Sequence, residues 1–462
     1  MRLGVLAVIM LIVGIVAGVG IGYLLFPTAT TTIYKTKTTI KLITKTELAS
    51  LTMLVKETES STSEKITTTM TETVTSTPLS LPTKGEWIVF EKAGGLYTIS
   101  SDGKVLKKLG NVKFVGRSPS GDKIAVARRA GTLEWSLVIL NPDGTGERVL
   151  VKSIETFYPP SIIWSPDGKK IAYLSEDYLY VVDVSGADAI KIGKIYSSQA
   201  GLHGIVENVA AWSPDGKKIA YLSPGPNLYV ADPDKGQKLR LDVEVEGKFA
   251  WSVNARAIAY RKKNYTLYVI KEDGSGRIKL ADMSTFRPDN WVWSPSGSAL
   301  VYSDWEEMLR MAIFDEEGDL LRTVLLGIDE KLFGFSPSGK YLAFWNSTPE
   351  ESYLGILDLE TGSLITKMDD KKCSFLSWSP TEDRFLCQDV ESGDVLVVNP
   401  EGEVEATIIE PDKAMFGGPM VKWFPNGEKI AFRRDGDLYV INVDGTNEIK
   451  LAEDIYGFWP IG

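Results

Sequence analysis

Histidine, cysteine and glutamine are nearly missing from this chain of 462 residues, which has one His, two Cys and three Gln. A lone His203 excludes a multi-histidine metal centre, and two Cys with one distant His make no zinc site. No metal and no cofactor is therefore expected. No G-x-S-x-G turn occurs, nor an α/β region to hold one, which argues against a serine hydrolase. Cations are also short: 51 Lys and Arg stand against 61 Asp and Glu, and residues 84–462 alone carry 44 against 56. Nucleic acid is excluded as a partner, because affinity for it is built on phosphate neutralisation. Abundant Lys and Glu with so few Gln and Cys fit a thermophile's composition.

What is present is a repeat. Ile163–Ser175 reads IWSPDGKKIAYLS and returns as AWSPDGKKIAYLS at Ala211–Ser223. An apolar run ends in Trp-Ser, Pro-Asp-Gly turns the chain, and Ile-Ala-Tyr-Leu follows in alternation, so the unit is a β-hairpin. Degraded copies of the turn begin at Arg117, Trp251, Trp293, Phe335, Trp378 and Trp423, at intervals of 39 to 48 residues. Asp-Gly turns at Asp143, Asp273 and Asp444 join a third strand to a fourth. A period of about 40–45 residues with four strands per unit is what propeller blades require.

The ends close the ring. Three strands precede the first full unit, Glu86–Phe90, Gly95–Ser100 and Lys104–Leu109, and lack an innermost partner. The terminal Tyr456–Gly462, YGFWPIG, supplies one. A blade shared between the termini removes the open edges that invite aggregation. The expected fold is an all-β propeller of four-stranded blades, nine by repeat count with eight as the fallback, over residues 85–462.

The WSPDGKKIAYLS…LYVVDVSG pattern resembles the TolB-like, WD-type propeller repeat, over roughly Gly85–Gly462. The resemblance implies the propeller fold. It leaves the function open, since members include periplasmic scaffolds, peptidase gating domains and lyases. This chain departs from the peptidases in lacking a nucleophile elbow and from the lyases in having His203 alone. It also lacks the separate α/β domain that precedes the Tol-type propeller.

Residues 1–27 read as a transmembrane anchor or signal-anchor. Leu3–Phe26 carries no charge and exceeds the span of about 18–20 residues that crosses a bilayer. The Arg2-Leu3-Gly4 start resembles the processing site of archaeal pilin-like signals, and an archaeal source is expected. Residues 28–84 read as a disordered, Thr-rich stalk, with 20 Thr in the 56 residues Thr28–Thr83. Within it Ile40–Lys56 is apolar enough for a transient helix. The expected location is the cell membrane, single-pass, with the propeller outside the cytoplasm. Asn264 and Asn346 begin N-glycosylation sequons and are expected to be accessible. Cys373 and Cys387 lie equally far from the Trp378–Glu382 turn, hence opposite one another on paired strands, where an oxidising compartment permits a disulfide.

Long, irregular loops gather on the face away from the monotonous anchor turns. They carry Phe157, Tyr158, Tyr196, His203, Phe286, Arg287, Trp305 and Phe416. Loops on a rigid scaffold are where binding resides, and aromatic and Arg side chains are favoured anchors. The anchor tryptophans, regularly spaced, read instead as packing between blades. The expected function is a non-catalytic binding or scaffolding module for a protein, peptide or glycan. The alternatives are an enzyme acting on polysaccharide or peptide at the channel mouth, and a structural cell-surface component.

Overall fold

A computed structural model describes residues 86–461 apart from 196–208, 254–256, 284, 286–289, 307, 329–330, 348–351, 370–372, 409–410 and 413–419, together with four short strands nearer the N-terminus. Two compact units divide the chain, 1–80 and 81–462. In the first, strands Thr30–Thr36, Thr39–Ile43, Leu51–Lys56 and Ile66–Thr68 form one sheet, with the first at its interior beside the second and third. The stretch expected to be a transient helix thus contributes strands, as its β-branched Thr, Ile and Val favour. Leu3–Phe26 lies outside the described residues. Among the described residues no helix is long and apolar enough to cross a membrane.

In the second unit the described strands make nine four-stranded antiparallel sheets. Eight follow chain order from their innermost strands: Lys113–Arg117 (blade 1), Ile162–Trp164 (blade 2), Ala210–Trp212 (blade 3), Val245–Trp251 (blade 4), Trp291–Trp293 (blade 5), Lys331–Phe335 (blade 6), Ser374–Trp378 (blade 7) and Val421–Trp423 (blade 8). Blade 9 joins Ile455–Ile461 to Trp87–Lys92, Gly95–Ser100 and Leu106–Gly110. Nine blades, the count read from the repeat, are present.

In blades 2 and 3 the anchor turn is held by its serine. In blade 2 the Ser165 hydroxyl donates to Asp167 at 2.6 Å and accepts the Lys170 amide at 2.9 Å. Gly168 takes φ +69°, a left-handed conformation that suits glycine. Blade 3 repeats the arrangement with Ser213, Asp215 and Lys218. Blade 8 has Phe424 in place of the serine, and that ring is buried among Phe90, Phe458 and Ile88 of blade 9.

The second and third strands pair aromatic side chains face to face, which makes the blade rigid across its width. Tyr173 stacks on Tyr180 at 5.5 Å, Tyr221 on Tyr229 at 5.6 Å and Phe432 on Tyr439 at 5.4 Å. Blade 6 has Gly355 where these blades have the second tyrosine. A Cβ there would come within 2.5 Å of the Phe344 ring, so the glycine makes room for it.

Blades are joined by the anchor tryptophans. Trp212, Trp251, Trp293 and Trp378 each donate their indole N–H to a carbonyl of the preceding blade, at Ile163, Ala211, Ala250 and Gly334, over 3.0–3.2 Å. The acceptor is always the residue just before the preceding anchor. These tryptophans pack between blades, as their spacing implies.

Closure follows from register. Ile461 pairs with Trp87, Pro460 with Ile88, Trp459 with Val89 and Phe458 with Phe90. Pro460 thus takes the place of the anchor tryptophan, on an edge strand where a missing N–H is tolerated. Glu86 reinforces the seam: it accepts from Asn426 at 2.6 Å and Ser101 at 2.7 Å, and pairs with Lys429 of blade 8. Burial pushes the Glu86 carboxyl up, but these partners outweigh it and hold it below its ordinary range.

Candidate functional site

The rim opposite the anchor turns is built by connections between the outermost strand of one blade and the innermost of the next, and between second and third strands. Phe157 and Tyr158 lie between Arg148–Glu155 of blade 1 and Ile162–Trp164 of blade 2. They are 71% and 45% exposed, with ring centroids 6.1 Å apart. Trp305 follows the second strand of blade 5 and is 66% exposed, although its amide is fixed by the Asp282 carbonyl at 2.9 Å. None of the three is spent on the core, unlike the anchor tryptophans Trp212, Trp251 and Trp293, which are buried. Phe157 and Tyr158 form one pair, and Trp305 stands three blades further on. Tyr196, His203, Phe286, Arg287 and Phe416 lie outside the described residues.

The sequons differ from one another. Asn264 is exposed in the turn between second and third strands of blade 4. Asn346 lies within the strand Tyr341–Ser347 and is only 7% exposed. It was expected in an accessible turn. The strand instead runs one residue beyond it, and ladder pairing with Tyr353 draws it into the blade.

Cys373 and Cys387 are joined as a disulfide, with Cα atoms 5.4 Å apart in the core between blades 6 and 7. They are not directly opposite, as equal spacing from the turn implied. Phe375 faces Cys387, because the hairpin is centred beyond residue 380, with Trp378 paired to Phe385, and Cys373 lies just ahead of the strand. The bond closes a sequence separation of 14. For a loop of that size, chain entropy puts reduction at a loss of about 3 kcal/mol. We expect no free thiol in the native protein, and a denaturant midpoint that falls on reduction. A midpoint indifferent to reductant sinks this expectation.

The Asp-Gly turns are plain turns. Asp143, Asp273 and Asp444 each accept the amide two residues on, at 2.8–2.9 Å, and the hydroxyl of the same residue at 2.6 Å. Among the described residues no three His, Cys, Asp or Glu are grouped to hold a metal ion.

A second surface escaped the sequence reading. The nine innermost strands stand around the axis of the ring. They contain five cations, Lys113, Arg117, Lys248, Lys331 and Lys422, and one carboxylate, Glu246. In a domain that is acidic overall, the axial wall is basic. The signal was available by summing charge over one strand position of the repeat rather than over the whole domain.

These cations fall at defined levels. Lys113 and Lys331 occupy equivalent places at the loop-rim end of blades 1 and 6, as their pairing with the second strands shows, and Lys248 lies just before Phe249 at the same end of blade 4. Lys113 pairs with Glu91. Lys248 donates to the Trp291 carbonyl at 2.6 Å and lies over that ring at 4.3 Å. Lys422 is deeper, donating to the Phe458 carbonyl at 2.8 Å, with its ammonium 5.4 Å from the Trp459 ring. It keeps surface open to the axis yet is crowded by protein elsewhere, and burial pulls its pKa below the ordinary lysine value. Arg117 holds the anchor position of blade 1, where blades 2–5, 7 and 8 have tryptophan. Burial lowers its pKa as well, and no neighbouring carboxylate offsets that effect among the described residues.

No protein-family profile matches the chain. Among curated proteins, the Tol-Pal system protein TolB of Thioalkalivibrio sulfidiphilus (strain HL-EbGR7) is 32% identical over 73 residues, 15% of this chain and 16% of its own length. TolB of Xanthomonas oryzae pv. oryzae (strain PXO99A) is 30% identical over 85 residues, 18% of each. The chain therefore matches less than a fifth of the length of these relatives. Among solved structures, a eukaryotic initiation factor aligns over 82% of this chain and 98% of its own, with TM-score 0.55 and 13% identity, a likeness of fold alone. The chain is a nine-bladed β-propeller whose repeat is similar to that of TolB.

Proposed function

We propose that this propeller is a non-catalytic binding module, tethered to the membrane by residues 1–27 through a Thr-rich stalk and displayed outside the cytoplasm, that engages a protein partner through its loop rim. The observation that carries the reading is the exposure of Phe157, Tyr158 and Trp305 on a rigid ring most of whose large aromatics are packed away, Tyr456 and Tyr265 being the other exposed ones among the described residues. Large aromatics in water cost free energy unless a partner covers them, and they are favoured interface anchors. The local similarity to TolB, named for the Tol-Pal system, supports an assembly role. A membrane location rests on the uncharged run Leu3–Phe26.

The test uses the full chain in intact cells, with a photo-crosslinking amino acid at position 157 or 305, and at 143 or 444 on the opposite face. A discrete protein adduct at the rim positions alone is expected, together with digestion of the propeller by protease added outside the cells. Equal labelling of both faces, or a protease-protected propeller, defeats the reading.

A further inference from the structure

We propose that the axial wall is a docking site for an acidic, partly apolar peptide segment, whose carboxylates are taken by Lys422 and Arg117 on either side of Trp459. The inference rests on the reading of the chain as a binding module but on different residues from the loop rim.

Three observations converge. First, the innermost strands carry five cations and one carboxylate although the domain around them is acidic, so the field along the axis favours an anion. Second, two of those cations sit on successive sides of the composite blade. Lys422 on blade 8 lies over Trp459, and Phe114 on blade 1 packs against that indole at 5.0 Å. Arg117 follows three residues after Phe114 on the same strand. Both charges are partly desolvated, and an incoming carboxylate would relieve that penalty. Third, the wall across the ring at the level of Lys422 is apolar: Ile163, Ala211, Ala250 and Val292 hold the same ladder position in blades 2 to 5, and each is partly exposed.

The arrangement discriminates among anions. Inorganic phosphate requires donors converging on one point, whereas these cations are spread along and around an axis. A uronate chain presents hydroxyls throughout and gains nothing from an aliphatic belt. A peptide alternating acidic and apolar residues satisfies both features.

Fluorescence anisotropy on the detergent-solubilised full chain tests this. The probe is a fluorescein-labelled 12-residue peptide alternating Glu with Leu, compared with its Lys-Leu counterpart, polygalacturonate and inorganic phosphate. Saturable binding of the Glu-Leu peptide alone is expected, weakening about tenfold between 20 and 200 mM NaCl. Lys422→Gln and Arg117→Gln should each weaken it about tenfold, with melting curves checking the fold; Lys331→Gln gives a milder loss should either misfold. The double variant Phe157→Ala, Trp305→Ala should leave it unchanged. No binding at 20 mM NaCl, or equal binding of the Lys-Leu peptide, overturns the proposal. Binding of polygalacturonate without the peptide overturns it in favour of a glycan. Loss of peptide binding in the rim variant, with lumen variants unaffected, overturns the lumen site while leaving the binding module standing. Failure of rim crosslinking with peptide binding intact does the reverse.

Discussion

A chain ended at Asp454 is expected to lose its cooperative fold. The truncation removes Ile455–Ile461, which is the innermost strand of blade 9 and the only covalently distant partner of Trp87–Lys92 among the described strands. Ile455, Phe458 and Ile461 are all buried, the first two against blade 8 and the third against blade 1. Removing a large buried side chain costs about 2–5 kcal/mol. Three together reach the whole net stability of a domain, about 5–15 kcal/mol. The cut also bares the edge of Trp87–Lys92, a template for pairing with other chains. Circular dichroism melts and gel filtration should show a broadened, lowered transition and aggregated material. Phe458→Ala gives a graded version, with a loss of about 3–5 kcal/mol in denaturant titration. A truncated chain that stays monomeric and melts like the full one defeats the closure described here.

Asp242→Ala is expected to have the next largest effect. This carboxylate ends the outermost strand of blade 3 and is almost wholly buried. It accepts the Tyr260 hydroxyl at 2.5 Å and the Val243 amide at 2.7 Å, with Lys262 and Arg277 at 3.3 Å. Tyr260, Lys262 and Arg277 all belong to blade 4, so one side chain pins two blades. Breaking a buried charged cluster from one side costs about 3–5 kcal/mol, because the remaining groups are stranded. Asp242→Asn keeps volume and an acceptor oxygen and should lose less. A loss under about 1 kcal/mol for the alanine variant contradicts this account.

The same cluster gives the sign of a pH effect. Burial pushes the Asp242 carboxyl up, but the Tyr260 hydroxyl, the Val243 amide and Lys262 outweigh it and hold the carboxyl below its ordinary value. An unfolded aspartate titrates near about 4. Above that pH both states are ionised and the full contribution is present. As pH falls from about 4 through the depressed folded value, the contribution is lost. Burial and Asp242 likewise push the Tyr260 hydroxyl far above its ordinary range, so it stays a donor wherever the protein is folded. The acid limb of the stability profile should therefore flatten in Asp242→Ala, and an unchanged limb argues against the cluster.

How much of this was legible beforehand depends on the range of the interaction concerned. The anchor turn is a local device. Ser165, Asp167 and Gly168 satisfy one another within a few residues, so their recurrence exposed the blades, their number and the shared ninth one. The anchor tryptophans were readable for the same reason. Local pattern misled where pairing register decides. Equal spacing from the turn put Cys373 and Cys387 face to face, but the hairpin pairs Trp378 with Phe385, a register centred beyond residue 380, so Phe375 faces Cys387 instead. Asn346 was expected to be accessible near a turn, and pairing with Tyr353 draws it into the strand.

By itself the sequence determined the architecture, because period, turn chemistry and strand alternation are properties of neighbours along the chain. It also marked Phe157, Tyr158 and Trp305 as loop aromatics, although only the folded ring shows that they remain uncovered. The basic axial wall was decided by tertiary structure alone. Lys113, Arg117, Lys248, Lys331 and Lys422 are scattered over more than 300 residues in which carboxylates predominate, and no local window shows them as a group. Closing nine blades around one axis is what collects them, because it places the same strand of every repeat at the centre and leaves the acidic turns at the ends of the blades.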